Sequence, residues 1–283
     1  MKILNQNTDF PKNVSLILGF FDGIHIGHQE VIKNTYNKEK VLVTFSTSPA
    51  EYFKKEYSYI YNRKKNYELI KTFGVDYIYE QDFSKIATIN AKDYLVQLIE
   101  KFEPVSITSG FNHNFGFNRE GNSEFLKKYL GEKYLCTEPT IINGEIVSST
   151  LIKEYLSNGN IETANTLLSR NFSLQSKVIE GMQLGRTLGF PTANLKYPER
   201  IIKIPYGVYK VRVFDKPAVL NWGIKPTIQS EEVLEVHIPN FEGDLYNQNL
   251  EIEFISKIRN EKKFNNLEEL KEQIKKDIEI CLK

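Results

Sequence analysis

With 283 residues, 41% of them hydrophobic and 26% charged, the chain has the composition of a folded protein long enough for two ordinary domains, which sets intrinsic disorder aside. Lys and Arg number 37 against 36 Asp and Glu, so the net charge of +1 makes no field that would gather nucleic acid. The start, Met1-Lys2-Ile3-Leu4-Asn5-Gln6, lacks the apolar core of a signal peptide, no apolar run approaches the roughly 18 residues that span a bilayer, and 2 cysteines cannot build a disulfide framework. A cytoplasmic enzyme with reduced thiols is expected, acting on neither nucleic acid nor membrane.

Val14 to Leu18 reads as a buried strand, His28 to Tyr36 as a helix and Val41 to Phe45 as a second β-rich run. Gly19-Phe20-Phe21-Asp22-Gly23-Ile24-His25-Ile26-Gly27-His28 joins the first strand to the helix. Such a turn suits a nucleotide phosphate. Gly19, Gly23 and Gly27 let backbone approach a ligand, and amides at a helix start present partial positive charge to an anion. His25 and His28 can donate hydrogen bonds to oxygens where negative charge grows during attack on phosphorus. Histidines at i and i+3 also suit zinc, but no further ligand lies nearby, and Cys136 and Cys281 are far apart in sequence.

Tyr67 to Phe73 is helical and stops at Gly74, and Val75 to Tyr79 follows as a strand. Asn90 with Asp93 opens a helix that buries Tyr94, Leu95, Leu98 and Ile99, and Val105 to Thr108 is another short strand. Strands separated by helices predict a parallel sheet with ligands beyond the carboxyl ends of its strands, where Gly19 to His28 falls.

Ser149 to Lys153 opens a short helix ending at Asn158-Gly159, and Asn160 caps another that runs to about Leu168, so the pair reads as a connector. The domain boundary is placed near residue 170, dividing the chain into 1–170 and 171–283. Beyond it the period is two: Tyr209, Val211 and Val213 alternate with Lys210 and Arg212, and Leu250, Ile252 and Phe254 with Glu251 and Glu253. An antiparallel sheet or small barrel is expected, closed by a helix from about Leu267 whose stripe is Leu267, Leu270, Ile274 and Ile278.

Gly185-Arg186-Thr187-Leu188-Gly189-Phe190-Pro191-Thr192-Ala193-Asn194 joins a glycine-rich turn to a proline and two small polar residues. Gly185 and Gly189 would admit phosphates, Pro191 would fix the turn, and Thr192 and Asn194 offer oxygens on one side of an extended segment. Hard oxygens with bridging phosphates are what Mg²⁺ prefers, although a hairpin loop bonded only to itself is an equal reading. In Leu234-Glu235-Val236-His237-Ile238 the alternation places Glu235 on the polar face. A carboxylate there can take a proton from a substrate hydroxyl, although exposed strand glutamates are more often simply solvated.

Together these motifs resemble the bacterial bifunctional riboflavin kinase and FAD synthetase family over essentially the whole chain. The first half is similar to the FMN adenylyltransferase module through Gly19 to His28, Gly110-Phe111-Asn112 with Phe115-Gly116, and Ser148-Ser149-Thr150. The second half is similar to the riboflavin kinase module through Gly185 to Asn194, Gly207-Val208-Tyr209, Asn221-Trp222-Gly223 with Pro226-Thr227, Leu234 to His237, and Arg259 with Lys263-Phe264. The resemblance implies an α/β Rossmann-like nucleotidyltransferase domain followed by an antiparallel β-barrel kinase domain with a terminal helix. It implies ATP-dependent conversion of riboflavin to FMN and adenylylation of FMN to FAD with release of pyrophosphate, with ATP as co-substrate and Mg²⁺ as cofactor.

The resemblance also implies roles. In the first module His25 and His28 would hold ATP phosphates, with Gly19, Phe20, Asp22, Gly23, Gly27, Ser148, Ser149, Thr150 and Lys153 around the nucleotide. In the second, Gly185, Arg186, Gly189 and Pro191 would meet ATP, Thr192 and Asn194 the Mg²⁺, and Glu235 would be the base. Asn112 and Arg259 would meet the flavin. The chain departs from the family where Ser46-Thr47-Ser48-Pro49 replaces a run that carries an imidazole, where Lys153 replaces an arginine, and where His113 replaces an aromatic residue. Ser46 and Ser48 are expected to donate hydroxyl bonds in place of that imidazole. Two alternatives follow: a kinase whose first module is catalytically impaired, and a nucleotidyltransferase for a pantetheine or nicotinamide precursor, which leaves Gly185 to Asn194 without a task.

Overall fold

The structure is a computed structural model that describes residues 1–5, 8–36, 38–180, 189–225 and 231–283. Its contacts divide the chain into two compact units, Met1–Ser149 and Thr150–Lys283.

In the first unit β1 (Lys2–Leu4), β2 (Ser15–Leu18), β3 (Lys40–Phe45), β4 (Tyr77–Gln81), β5 (Ser106–Gly110) and β6 (Tyr134–Thr137) form one parallel sheet in the order β1-β4-β3-β2-β5-β6. Helices α1 (Ile26–Lys33), α2 (Pro49–Tyr52), α3 (Arg63–Thr72), α4 (Phe83–Ile86), α5 (Ala91–Phe102) and α6 (Ser123–Leu130) connect the strands, and a hairpin of β7 (Ile141–Ile142) and β8 (Glu145–Ile146) follows. Alternation along the strands divides the core between the two faces. Leu16, Leu18, Val41 and Val43 pack with Tyr94, Leu95 and Phe102, whereas Ile17 and Leu42 pack with Ile24, Ile32 and Ile70. From β2 the chain adds β3 and β4 on one side and, later, β5 and β6 on the other. The order therefore reverses between β2 and β5, which opens a crevice beyond their carboxyl ends.

The expected helix opening at Asn90 is present as α5: Asn90 Oδ1 accepts from the Asp93 amide at 2.9 Å, and its Nδ2 donates to the Asp93 carboxylate at 2.7 Å. The connector helices are α7 (Ser149–Ser157) and α8 (Ile161–Leu168), although Asn160, at the cap of α8, makes no side-chain cap bond. The expected boundary near residue 170 lies at the far end of this pair. Because α8 packs on barrel strands, the contacts assign it to the second unit.

In the second unit β9 (Phe172–Ile179), β10 (Ala193–Leu195), β11 (Gly207–Val213), β12 (Lys216–Lys225), β13 (Glu231–His237) and β14 (Asn249–Arg259) close an antiparallel barrel in the order β10-β13-β12-β11-β14-β9. Tyr209, Val211, Leu250, Ile252 and Phe254 fill its interior with Trp222, as their alternation predicts. The last helix, α9 (Leu267–Leu282), starts at its expected residue, and Leu270, Ile274 and Ile278 of its expected stripe are half-buried. Leu267 is 58% exposed, while Asp277 and Cys281 are the buried positions, because Arg259 on β14 draws the Asp277 carboxylate inward.

Candidate functional site

The β2–α1 turn is held from all sides by side chains that bond its main chain. Thr44 donates to the Phe20 carbonyl (3.1 Å), Asn66 to that of Phe21 (2.8 Å), Ser149 to that of Asp22 (2.8 Å) and Gln29 to that of Ile24 (3.0 Å). The carbonyl dipoles are thus turned into the protein, which suits a site for an anion. Phe21 (φ 58°) and Ile24 (φ 43°) adopt left-handed backbone, a conformation costing of the order of 1–3 kcal/mol that persists only where surroundings enforce it. Here the clamps and the burial of both side chains enforce it.

The glycines act differently from expectation. A Cβ on Gly19 would lie 2.7 Å from the Phe21 ring, and one on Gly23 (φ 86°) 2.6 Å from Ile60, so these two make room for the protein itself. Gly27, in the first turn of α1, lies beside the His25 ring. Asp22 is likewise occupied: its carboxylate accepts from the Ile60 amide at 3.0 Å and the Tyr57 hydroxyl at 2.9 Å, while Phe20 lies against Tyr57 and Tyr59. Sequence reasoning missed Thr44, Asn66, Gln29 and Tyr57. Their only signal is polarity within otherwise apolar elements.

His25 is the N-cap of α1, its Nδ1 accepting the His28 amide at 3.3 Å. An acceptor Nδ1 carries no proton, so the ring proton sits on Nε2. The His25 and His28 rings stack with centroids 3.6 Å apart and planes within 20°. Ser148 and Ser149 are half-buried at the start of α7, with Thr150 and Lys153 on its first turns. Ser48, expected to donate in place of an imidazole, is buried, and its Oγ caps α2 by accepting the Ala50 amide at 3.2 Å. Asn112 is exposed just beyond β5, on the other side of the crevice. Next to it His113 stacks on Phe115, and burial pushes its imidazole down to about 4, so the ring is neutral near pH 7.

In the barrel unit Gly185 and Arg186 lie outside the described residues. Gly189 has φ 87°, and the turn that follows it is anchored where His237 Nδ1 bonds the Pro191 carbonyl at 2.8 Å. A cleft of about 520 Å³ opens beside it, lined by Val178, Pro191, Thr192, Val236, Phe241 and Tyr246, a volume in the range of small-molecule sites. Phe241 and Tyr246 belong to a loop that sequence reasoning passed over. Its signal is the turn-forming run Asn240 to Asp244, folded by the Asp244 side chain accepting the Tyr246 amide at 2.8 Å.

Asn194 and Glu235 are direct cross-strand partners, so their side chains share one face. Asn194 is 8% exposed, and among the described residues neither its amide nor the Thr192 hydroxyl has a hydrogen-bond partner. Two neutral hard oxygens, with no cluster of acidic, His or Cys ligands among the described residues, fit Mg²⁺ held chiefly by phosphate oxygens and water. Arg259, expected at the flavin, is bonded to α9: its Nε donates to both Asp277 oxygens at 3.1 Å and its Nη2 to one at 2.8 Å. This pair fastens α9 to the barrel.

Residues 7–151 match the family model for FAD synthetase, and residues 168–283 match that for riboflavin kinase. The chain is 35% identical to a bifunctional riboflavin kinase/FMN adenylyltransferase of Buchnera aphidicola, over 97% of this chain and 94% of the relative. It is 34% identical to the Haemophilus influenzae protein of the same description, over 94% and 92%. A crystal structure described as a macrolide-efflux protein from Streptococcus pneumoniae superposes with a TM-score of 0.91 at 29% identity, covering 99% of this chain and 98% of that one. Among the described residues of this chain, no helix is long and apolar enough to cross a membrane. A clamped strand-to-helix turn bearing two histidines, a barrel that pairs Asn194 with Glu235, and two tandem family matches converge: the chain belongs to the bifunctional riboflavin kinase/FMN adenylyltransferase family.

Proposed function

We infer that the barrel unit phosphorylates riboflavin to FMN and that the α/β unit joins FMN to the adenylyl group of ATP, giving FAD and pyrophosphate. The observation that carries this reading is the presence of both family matches in one chain, FAD synthetase over residues 7–151 and riboflavin kinase over residues 168–283.

In the barrel unit ATP occupies the cleft beside Thr192, and Thr192 and Asn194 hold Mg²⁺. When bound, the ion screens the charge of the triphosphate. Glu235 takes the proton of the terminal ribityl hydroxyl as its oxygen bonds the γ-phosphorus and the bond to the β-phosphate oxygen breaks, and ADP leaves. In the α/β unit a phosphate oxygen of FMN bonds the α-phosphorus of ATP as the bond to pyrophosphate breaks. His25, with its proton on Nε2, and His28 donate to the oxygens on which negative charge accumulates. The turned-away carbonyls of Phe20 to Ile24 keep opposing dipoles out of this site. Ser148 lines the phosphates, while Asn112 meets the flavin.

The protein supplied with riboflavin, ATP and Mg²⁺ is expected to yield FMN and then FAD on chromatography of the flavins. FMN as the sole product would remove the adenylyltransferase half of the reading, and no phosphorylated flavin would remove the other.

A further inference from the structure

The Asn221-Trp222-Gly223 motif on β12 contains one residue that the fold does not use. Trp222 is buried, and its Nε1 donates to the Ile204 carbonyl at 3.1 Å. Gly223 leaves space for Glu261, whose Oε1 would lie 1.8 Å from a Cβ there and which accepts the Ile224 amide at 3.1 Å. Asn221, in contrast, is exposed, and among the described residues its side chain has no hydrogen-bond partner. Asparagine is disfavoured in strands, so its presence in the middle of a ten-residue strand calls for a task outside local structure.

The barrel register identifies that task. Asn194 pairs with Glu235, Glu235 with Asn221, Asn221 with Val208, and Val208 with Arg259, so the five side chains form one row across five strands. At one end of the row are the oxygens of Asn194 and nearby Thr192. At the other end α9 closes it, with Ile278 and Cys281 packed against Val208 and Asp277 bonded to Arg259. Phosphoryl transfer proceeds with donor and acceptor oxygens roughly in line. With the triphosphate at the Asn194 end, the acceptor approaches Glu235 from the other side, over Asn221. Neighbouring strands lie about 4.8 Å apart, so the Asn221 amide stands one strand beyond the base, within reach of a hydroxyl one or two carbons before the reacting one.

We propose that Asn221 binds the inner hydroxyls of the acceptor's polyol side chain and selects for them. This rests on the kinase reading of the barrel. An amide offers two donors and an acceptor, so it can bond two hydroxyls at once.

The test compares wild type with Asn221→Ala on riboflavin and on an ω-hydroxypentyl flavin, which keeps the terminal hydroxyl and lacks the inner ones. With riboflavin the variant is expected to lose about tenfold in kcat/KM, the worth of one or two hydrogen bonds. With the hydroxypentyl flavin, wild type and variant are expected to be equal. FAD formation from supplied FMN and the fluorescence of Trp222 check that both units remain folded. An equal fall on both flavins, or no fall on either, would overturn the proposal. A wild-type protein that makes no FMN from riboflavin would instead sink the kinase reading beneath it.

Discussion

Two tasks fall on the His25 ring in the proposed reaction: Nδ1 closes the first turn of α1, and the proton on Nε2 is the one donated. Substitution separates the two. Asparagine is a good N-cap but is too short to reach where Nε2 stood, whereas alanine does neither. His25→Ala is expected to lose about 1 kcal/mol of stability, measured by thermal unfolding, and His25→Asn only a few tenths. Both are expected to lose FAD formation by about a hundred- to a thousandfold, the usual effect of removing one transition-state donor. Retained FAD synthesis in His25→Asn would leave the ring a cap and nothing more. Ser48 likewise has a capping task, its Oγ accepting the Ala50 amide at the start of α2, a use that its place in the sequence did not suggest.

Among the elements, those that announce themselves locally were legible. The alternation of Leu250, Ile252 and Phe254, the cap at Asn90 and the stop at Gly74 each depend on neighbours in sequence, and each stands where it was read. What escaped depends on partners far along the chain. The left-handed Phe21 and Ile24 are stabilised by Asn66 and Gln29, and the loop bearing Phe241 is placed by strand pairing. Glu235 and Asn194 could be suspected separately, but only the β10–β13 register sets them side by side. The burial of Asp277 on α9 escaped for the same reason, since an apolar stripe cannot reveal that an aspartate beside it will be drawn to Arg259. This pair gives a test: removing one partner strands the other as a buried charge. Asp277→Ala is expected to destabilise the barrel by about 3 kcal/mol, the low end of that range because the guanidinium keeps contact with water. Trp222, the only tryptophan and buried in the barrel, reports this transition by fluorescence in urea. Replacing both residues by apolar ones of similar size is expected to recover most of the loss.

At the scale of the whole molecule, each unit has its own core and each proposed set of reacting groups lies within one unit: His25 and His28 at the β2–α1 turn, Thr192, Asn194 and Glu235 on the barrel. FMN is the product of one site and the substrate of the other, so a molecule disabled in one unit can be completed by a molecule disabled in the other. His28→Ala is expected to accumulate FMN from riboflavin and to make no FAD. Glu235→Gln is expected to lose a hundredfold or more in FMN formation, as for removal of a general base, while still converting supplied FMN to FAD. Mixed in equal amounts with riboflavin and ATP, the two variants are expected to produce FAD after a lag in which free FMN builds up, and adding FMN abolishes the lag. If either variant alone loses both reactions, the two sites are not independent. If each keeps its own reaction yet the mixture makes no FAD, FMN released by one molecule does not reach the adenylyltransferase site of another.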